Sequence, residues 1–388
     1  MDSVNLVSLP GDGIGSEVVD ATLRVLEQGG RMWGTNFTVE HVEAGASRYA
    51  RTGAAYSEAD FEMCKAADAV LLGALGLPDV LLPDGTEAGP DLQFRLRFDL
   101  DLYAGVRPVR RLATIPGPLR KALPFEFTVI RENTEGLYAS RGGGAVVKDK
   151  VVTDTLVMTA AGVDRVCSFA FQWAEAHPQS TPGGPRRHVT CVDKANVLRS
   201  YAFFRSRFDL VARDYAGRVD AGRAYVDAFC AQMVLQPESI HVAVAENMFG
   251  DIVSDLAAAL IGSLGLAPSG DIGARHGVFQ PSHGSAPTIA GKGIANPVAT
   301  ILSAAMMLDW LGVTRASQPL QGFAADLVGA VDRALADDSA HTRDLGGIAS
   351  TASCAKAVAA CLQGPDGKTR DAGSVPSATQ STPREKQK

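Results

Sequence analysis

Short apolar runs separated by segments of helical periodicity dominate the first hundred residues. Three such runs predict buried strands, at residues 4–9, 37–42 and 68–74. Between them, the apolar positions of residues 15–28 recur at helical spacing, and Ser57 is a candidate N-cap for a helix that runs through Ala66. This alternation of strands and helices predicts an α/β protein with a largely parallel sheet.

The central part of the chain has a more varied pattern. Further strands are predicted at residues 127–131, 151–156, 188–192 and 240–245. Further helices are predicted at residues 90–102, 162–176, 196–213 and 250–261. From Pro365 the composition turns to Ser, Pro, Thr, Lys and Gln, which cannot bury a core, so residues 365–388 are predicted to be disordered.

Composition and charge narrow the classes of function. Hydrophobic residues make up 46% of the 388 residues and charged residues 21%, which is typical of a soluble globular protein. The net charge of −6 offers no basic face for nucleic acid or acidic lipid. No secretory signal or apolar stretch of about 18 residues is present, which favours a cytoplasmic protein. Six scattered cysteines with no CxxC pair are expected to be free and mostly buried.

A glycine-rich turn and a small-residue loop are candidate ligand sites. Residues 11–15 read GDGIG between a strand and a helix, but Ser16 breaks the G-x-G-x-x-G fingerprint, so a tight turn and a phosphate site both stay open. The loop from His283 to Pro297 is rich in small residues, and its composition is not that of a hydrophobic core. Its composition predicts a segment that wraps a flat ligand.

Arginines stand out among the polar residues. If residues 90–102 are helical, Gln93, Phe94 and Arg97 share one face. Arg107 precedes a proline at an extended strand start, and Arg131 ends a predicted strand. Because guanidinium groups bind carboxylates bidentately, these three arginines together favour a substrate with two carboxylates.

A lysine and an acidic pair supply candidate chemistry. Lys194 lies where a strand ends, and it can act as a base if burial or nearby positive charge lowers its pKa. Asp251 and Asp255 are one helical turn apart, so their mutual repulsion calls for a cation between them, Mg²⁺ or Mn²⁺. The helix dipole alone explains Asp251 but not Asp255.

Six ordered motifs resemble the isocitrate/isopropylmalate dehydrogenase family: GDGIG, LRFDLDLYAGVRP, RENTEGLY, DKANVL, NMFGDIVSDLAAALIGSLGL and HGSAPTIAGKGIANP. The resemblance implies an α/β, two-domain fold around a continuous twisted sheet that is not a Rossmann fold. It implies a large cofactor-binding domain formed by residues 1–101 and 262–364, and a central substrate and dimerisation domain at 102–261. It also implies a homodimer whose active sites take residues from both chains.

The resemblance assigns roles residue by residue. Catalytic roles fall to Tyr138, Lys194 and Asp251, and metal binding falls to Asp227, Asp251 and Asp255. Lys194 and Asp227 would reach the active site from the partner subunit. Substrate binding is implied for Gln93, Phe94, Arg97, Arg107, Arg131, Tyr138, Lys194 and Asn196. Cofactor binding is implied for Ile14, His283, Gly284, Ser285, Ala286, Thr288, Ile289 and Asn296.

The implied reaction is the metal-dependent, NAD(P)-linked oxidative decarboxylation of a 3-substituted (2R)-malate to a 2-oxo acid and CO2. Three departures from the family pattern bear on it. Thr288 replaces the acidic residue of NAD-using members; Ile289 and Ala290 still favour NAD, and NADP stays possible. Gln93 and Phe94 replace an apolar leucine pair, which leaves tartrate, D-malate and unusual 3-substituted malates open. Gly76-Leu77 replaces a glycine pair.

Two other functional classes are weighed against this one. A non-catalytic regulatory subunit or binding module of the same fold would lack metal-binding or base residues, whereas all of those are present here. A dehydrogenase that does not decarboxylate is distinguished by the absence of CO2 among its products.

Overall fold

The computed structural model describes residues 2–119, 124–181 and 184–367. The strands of the described chain are β1 Asp2–Gly11, β2 Thr35–His41, β3 Ala69–Ala74, β4 Ala104–Arg111, β5 Phe125–Glu132, β6 Ala145–Val147, β7 Val151–Thr153, β8 Gln179–Thr181, β9 Gly184–Arg186, β10 His188–Asp193, β11 Asp220–Tyr225, β12 Val242–Ala245, β13 Pro268–Ile272 and β14 Gly277–Pro281. The helices are α1 Gly15–Trp33, α2 Ala46–Thr52, α3 Glu58–Ala66, α4 Pro90–Asp99, α5 Ala160–Ala176, α6 Arg199–Asp214, α7 Val226–Leu235, α8 Asn247–Leu260, α9 Val298–Thr314, α10 Gln318–Leu335 and α11 Thr351–Ala360.

One ten-stranded sheet runs through the molecule in the order β11-β10-β12-β5-β4-β13-β14-β3-β1-β2. Its pairs are parallel except for β4 with β5, β13 with β4, and β13 with β14, which are antiparallel. This confirms the predicted α/β fold around a continuous sheet. The strands of residues 102–261 lie together at one end of the sheet, an order that fits the predicted domain division, which itself stays a prediction.

The predicted elements with strong local signals are confirmed. The β3 strand is buried along its whole length, as its unbroken apolar run predicts. Helix α3 begins with the predicted cap, because the Ser57 hydroxyl accepts from the backbone N–H of Asp60 and the Asp60 carboxylate accepts from that of Ser57. Helix α1 ends at Trp33 and is capped by Gly34, which adopts the left-handed conformation that glycine tolerates best.

Several predicted boundaries are wrong. The helix predicted over 90–102 ends at Asp99, and Asp101 has a left-handed φ of 51°. The helix predicted over 250–261 begins at Asn247, because the Glu246 carboxylate accepts from the first free backbone N–H groups of α8. Arg107, predicted at a strand start, lies in the middle of β4.

The strand predicted over 151–156 is also shorter than expected. Only β7 forms, and it pairs with β6 in an exposed two-stranded ribbon outside the main sheet. The helix predicted over 196–213 begins at Arg199, because the backbone N–H groups of Val197 and Leu198 close a turn on the Lys194 carbonyl.

Two global expectations can be compared with the described chain. None of its helices is long and apolar enough to cross a membrane. All six cysteines are free, and four of them are buried. The predicted disordered tail lies mostly outside the described residues, which end at Gly367.

Candidate active site

The predicted polar residues gather where neighbouring parallel strands end. Arg131 lies near the end of β5, and Asp251 and Asp255 lie on α8, which follows β12. Lys194 follows β10, and Asp227 lies in the first turn of α7, which follows β11. Because β5, β12, β10 and β11 run parallel, these side chains share one edge of the sheet, the usual position of α/β ligand sites.

Two of the predicted arginines share one buried counterion. Asp271 on β13 accepts from Arg97 Nε at 2.8 Å and from Arg107 Nη2 at 2.9 Å. Burial alone would raise the pKa of the Asp271 carboxyl, but the two guanidinium groups hold that pKa well below its usual range. Asp271 therefore stays ionised and fixes both arginines in place. The sequence analysis missed this residue.

Arg131 is held by helix α8. Its Nη2 and Nε donate to the Asn247 side-chain oxygen at 2.8 and 3.0 Å, and its Nη1 pairs with Asp251. A Cβ at Gly250 would lie only 2.7 Å from Arg131 Cγ, so this helix position requires glycine. Burial, followed by repulsion from Arg97, lowers the pKa of Arg131 to about 10, which leaves it charged at neutral pH.

Tyr138 meets the same carboxylate as Arg131. Its hydroxyl donates to Asp251 Oδ2 at 3.1 Å, and the Arg131 guanidinium carbon lies 5.5 Å from the centre of its ring. Burial, and then the negative charge of Asp251, raise the pKa of the Tyr138 phenol. The phenol therefore keeps its proton at neutral pH and can serve as a proton donor.

The second carboxylate of the acidic pair on α8, Asp255, is exposed to solvent. Asp255 makes no hydrogen bond or ion pair within the described residues, and partial burial followed by the charge of Asp251 raises its pKa. Two neighbouring carboxylates of this kind are hard oxygen ligands that suit Mg²⁺ or Mn²⁺. No set of three His, Cys, Asp or Glu side chains able to hold a metal occurs in the described part of the chain. The third predicted ligand, Asp227, is therefore not assembled with Asp251 and Asp255.

Asp227 instead pairs with the predicted base. Lys194 Nζ donates to Asp227 Oδ1 at 2.8 Å, and this hydrogen bond lowers the pKa of the Asp227 carboxyl. The turn that carries Lys194 is fixed by the fully buried Asp193, which accepts from the Ala195 backbone N–H at 2.8 Å and from Arg205. Asn196 is exposed beside this turn.

Lys194 and Asp227 stay apart from the other site residues in one chain. Within the residues described, neither makes a hydrogen bond or ion pair with Arg131, Tyr138 or Asp251. Two parts of the predicted site thus share one sheet edge, and no hydrogen bond or ion pair joins these residues within the described chain.

Helix α4 places the Phe94 ring beside Tyr138, and we call this part of the site the aromatic wall. The ring centre of Phe94 lies 6.3 Å from that of Tyr138, one helical turn before Arg97. This contact brings Phe94 to the predicted substrate region. Gln93 is half-buried and forms no side-chain hydrogen bond within the described chain.

The GDGIG turn and the loop after β14 contact each other. Ile14 donates its backbone N–H to the Ser285 carbonyl at 2.8 Å, and a Cβ at Gly13 would lie 1.9 Å from that oxygen. Ile14 also packs with Ala286 and Ile289. The predicted cofactor-binding residues at both ends of the sequence therefore meet in one place.

A buried carboxylate holds the GDGIG turn. Asp12 is 1% exposed and accepts from the backbone N–H groups of Ala46, Ser47 and Gly76, each at 2.8 Å. Asp12 thus connects the GDGIG turn to the start of α2 and to the loop after β3, and so stabilises the fold around this turn. Its place between two left-handed glycines is a signal that the sequence analysis did not use.

The loop after β14 has the character of a ligand site. His283 Nε2 is buried without a hydrogen-bond partner in the described chain, and burial lowers the pKa of this imidazole. Gly284 and Thr288 are exposed, and the Thr288 carbonyl accepts from Lys292 Nζ at 2.8 Å. Asn296 donates to Asp344 at 2.9 Å. The His283 Nδ1 lies 3.0 Å from the Gly284 carbonyl oxygen, so Nε2 is the ring nitrogen left for a ligand. A neutral histidine with one free ring nitrogen beside exposed backbone fits a polar, flat ligand such as a nucleoside.

Fold and site together define an α/β protein that holds a cluster of buried arginines beside carboxylates suited to a divalent cation. The family model for isocitrate/isopropylmalate dehydrogenase matches residues 5–360. The chain belongs to this family, whose members are oxidoreductases and include decarboxylating dehydrogenases.

Curated relatives match over nearly the whole chain. D-malate dehydrogenase [decarboxylating] of Escherichia coli is 36% identical, over 92% of this chain and 98% of its own length. The 3-isopropylmalate/3-methylmalate dehydrogenase of Methanocaldococcus jannaschii is 40% identical, over 90% and 96% respectively. Tartrate dehydrogenase/decarboxylase of Pseudomonas putida is 37% identical, over 93% and 98%.

Solved structures agree with this assignment. Isocitrate dehydrogenase from Methylococcus capsulatus has a TM-score of 0.80 at 32% identity, covering 93% of this chain and 99% of that one. The beta-decarboxylating dehydrogenase from Thermococcus kodakarensis has a TM-score of 0.72 at 36% identity, covering 92% and 96%.

Removing the shared counterion of Arg97 and Arg107 is expected to destabilise the protein. Asp271→Asn leaves two buried guanidinium groups uncompensated, which should lower the free energy of unfolding by about 3–5 kcal/mol in urea titrations. The pKa of Asp271 is lower in the folded than in the unfolded state, so the ionised side chain stabilises the fold at every pH above its unfolded pKa of about 4. This stabilisation is lost as pH falls through the folded-state pKa. The decrease in the free energy of unfolding caused by Asp271→Asn should therefore be the same at about pH 6 and about pH 8.

A matched control is Asp332→Asn, which removes the partly exposed counterion of Arg110. That substitution should cost less than about 1 kcal/mol. Equal costs for the two variants would show that the buried cluster contributes no special stability.

Proposed function

We propose that this protein is a divalent-metal-dependent, nicotinamide-linked dehydrogenase that oxidises and then decarboxylates a 3-substituted (2R)-malate. The products are a 2-oxo acid, CO2 and NAD(P)H. The observation that carries the proposal is the shared carboxylate of Asp251, which joins a buried arginine, Arg131, to a protonated phenol, Tyr138.

The buried arginines bind the substrate. Arg97 and Arg107 are each 7% exposed and share one counterion, and Arg131 shares Asp251 with Tyr138. The cluster therefore has unused hydrogen-bond donors and a positive field that a dicarboxylate satisfies. Their fixed positions orient the acid against Asp251.

The donor set fits a hard divalent cation. Asp251 and Asp255 would hold it together with Asp227 of the partner subunit. When bound, this cation polarises the 2-hydroxyl and then the 2-oxo oxygen of the substrate and so stabilises negative charge there.

Two residues of the chain move protons. Lys194 of the partner subunit would take the 2-hydroxyl proton, and a bound nicotinamide would supply the acceptor for the hydride that leaves C2. The resulting 2-oxo group accepts the electron pair of the C3–carboxylate bond, and CO2 leaves. Tyr138 then delivers its proton to C3, consistent with the raised pKa that keeps it protonated.

The loop from His283 to Asn296 would hold the adenosine half of the cofactor, with the turn around Ile14 beside it. The buried, unpartnered His283 Nε2 and the exposed loop backbone support this placement. We infer NAD as the cofactor from Ile289 and Ala290. Thr288 carries no charge that repels a 2′-phosphate, so NADP is the alternative to test.

A homodimer with shared sites is supported by surface composition. Of the seventeen large apolar side chains that are exposed in the described chain, thirteen lie between residues 102 and 261. They are Val146, Val147, Val151, Val152, Val157, Val197, Leu198, Phe203, Leu210, Tyr225, Val234, Leu235 and Ile252. Exposed apolar side chains concentrated in one part of the chain support a protein–protein interface there.

This apolar surface borders the two separated parts of the site. Val197 and Leu198 follow Lys194, and Ile252 follows Asp251. A second copy that covers this surface can therefore bring Lys194 of the partner subunit to Asp251.

Tyr138→Phe tests the assignment of the acid. Losing the phenolic proton should lower kcat by about 10²-fold with little change in Mn²⁺ affinity, because the ring and the metal carboxylates remain. Steady-state kinetics and Mn²⁺ titration measure both. An unchanged kcat would remove Tyr138 from the mechanism.

The substrate is tested by NADH formation from purified protein with Mn²⁺ across D-malate, tartrate, 3-isopropylmalate, isocitrate and homoisocitrate. We expect turnover of at least one acid with NAD, abolished by chelator. Repeating the panel with NADP settles the choice of cofactor. A folded protein that binds Mn²⁺ but turns over none of these acids would instead favour the regulatory-subunit alternative.

A further inference from the structure

The aromatic wall beside Tyr138 carries an ion pair of its own. The guanidinium carbon of Arg141 lies 3.9 Å from the ring centre of Phe94, and one of its terminal nitrogens pairs with Asp91. Asp91 and Phe94 are three residues apart on α4 and so share a face of that helix. The wall therefore combines an apolar ring with one positive and one negative charge.

The position of Arg141 is set by the proposed proton donor. Tyr138 begins a single turn of 3-10 helix that ends at Ser140, and Arg141 closes this turn by donating its backbone N–H to the Tyr138 carbonyl at 3.3 Å. The Phe94 ring is near both groups: its centre lies 3.9 Å from the Arg141 guanidinium carbon and 6.3 Å from the centre of the Tyr138 ring. Anything bound against this wall thus lies close to the carbon that Tyr138 would protonate.

The three buried arginines near this wall are assigned to the two carboxylates of the malate, and their positions are fixed. Arg97 and Arg107 converge on Asp271, and Arg131 is held by α8. Arg141 is the guanidinium stacked on the Phe94 ring, and so it is placed to meet a charged substituent at this wall. In this structure Asp91 neutralises it, and the Asp91 carboxylate would repel a further carboxylate.

We propose that the Asp91–Arg141 pair determines substrate specificity by keeping this wall electrically neutral, so that it selects malates with an uncharged 3-substituent and rejects tricarboxylates. This inference rests on the proposed function and names the substrate class of the same site. Phe94 supplies apolar contact for the substituent. Arg141 packs over the ring and acquires no carboxylate partner from the substrate.

The test compares wild type with Asp91→Asn, Arg141→Gln and the double variant. Both kcat/KM and equilibrium affinity in the presence of Mn²⁺ are measured for D-malate, 3-isopropylmalate, isocitrate and homoisocitrate. Wild type should prefer the dicarboxylates. Asp91→Asn frees the guanidinium, so the ratio of tricarboxylate to dicarboxylate should rise by about tenfold or more in both measurements. The double variant should lose this gain.

A matched control is Asp99→Asn, which removes a carboxylate of α4 that pairs with Arg95 instead. It should leave the ratio unchanged. A wild type that prefers tricarboxylates, or an Asp91→Asn ratio equal to that of the control, overturns the inference. If no variant turns over any acid but the affinity ratios shift as expected, the proposed function fails while the specificity role stands.

Discussion

Asp251→Asn is expected to lower kcat/KM by about three orders of magnitude. Asparagine keeps the size of the side chain and can still contact Tyr138 and Arg131, so the fold around the helix should persist. It removes one of the two neighbouring carboxylates that suit the cation, and the loss of metal-assisted charge stabilisation is worth several kcal/mol, at about 1.4 kcal/mol per tenfold change in rate.

Two readouts separate this effect from misfolding. In wild type, added Mn²⁺ should raise the melting temperature because the metal binds only the folded state. This stabilisation should disappear in Asp251→Asn. Asp164→Asn, which removes the partner of Arg207 away from the site, should retain both activity and the Mn²⁺ response. An Asp251→Asn enzyme with activity within about tenfold of wild type would contradict the metal-binding role.

Lys194→Met is expected to lower kcat by about 10³-fold, because it removes the base for the 2-hydroxyl. Methionine keeps the length of the apolar part of the side chain, so the turn after β10, which Asp193 holds, should be unaffected. A higher pH should rescue the variant in part, because hydroxide can then replace the lysine.

Mixing two inactive variants tests whether the active site is shared between subunits. If each site combines Lys194 from one chain with Asp251 from the other, a mixed dimer of Lys194→Met and Asp251→Asn has one site with neither change. Reversible dissociation and mixing should therefore restore about a quarter of wild-type activity. If both residues served one site from the same chain, every site would carry a change and mixing would restore nothing.

Local patterns predicted the outer half of the sheet well. Residues 4–9 and 68–74 are largely apolar runs with glycine near their C-terminal ends, and their strands form as buried neighbours in the structure. The capping box at Ser57 is a local hydrogen-bond pattern, so the sequence alone was enough to place the start of α3.

Elements that depend on long-range partners escaped prediction. The β13 strand is short, contains proline and glycine, and buries an aspartate, so its sequence does not resemble a core strand. Asp271 becomes a counterion only because β13 pairs with β4 and thereby meets Arg107, a contact across 164 positions of the chain. The exposed β6–β7 ribbon was predicted only in part, because β7 lies within the strand expected at residues 151–156 whereas its partner β6 was not expected.

The candidate site was likewise predicted in part from local sequence motifs, while the rest depends on contacts that are distant in sequence. The arginines, Tyr138 and the α8 carboxylates were identified from their motifs, and the structure brings Arg131, Tyr138 and Asp251 into contact. The role of Lys194 and Asp227 stays a prediction, because one chain pairs them only with each other. In the proposed homodimer their approach to Asp251 would require a second copy, which no sequence pattern within one chain can display.

The most direct measurement is the stoichiometry of reduced nicotinamide to CO2 during turnover of the best acid of the panel, with Mn²⁺ and then with chelator. We expect one CO2 for each NAD(P)H formed, and neither product once the metal is removed. Nicotinamide reduction without CO2, or turnover that persists in chelator, would contradict a metal-dependent decarboxylating dehydrogenase.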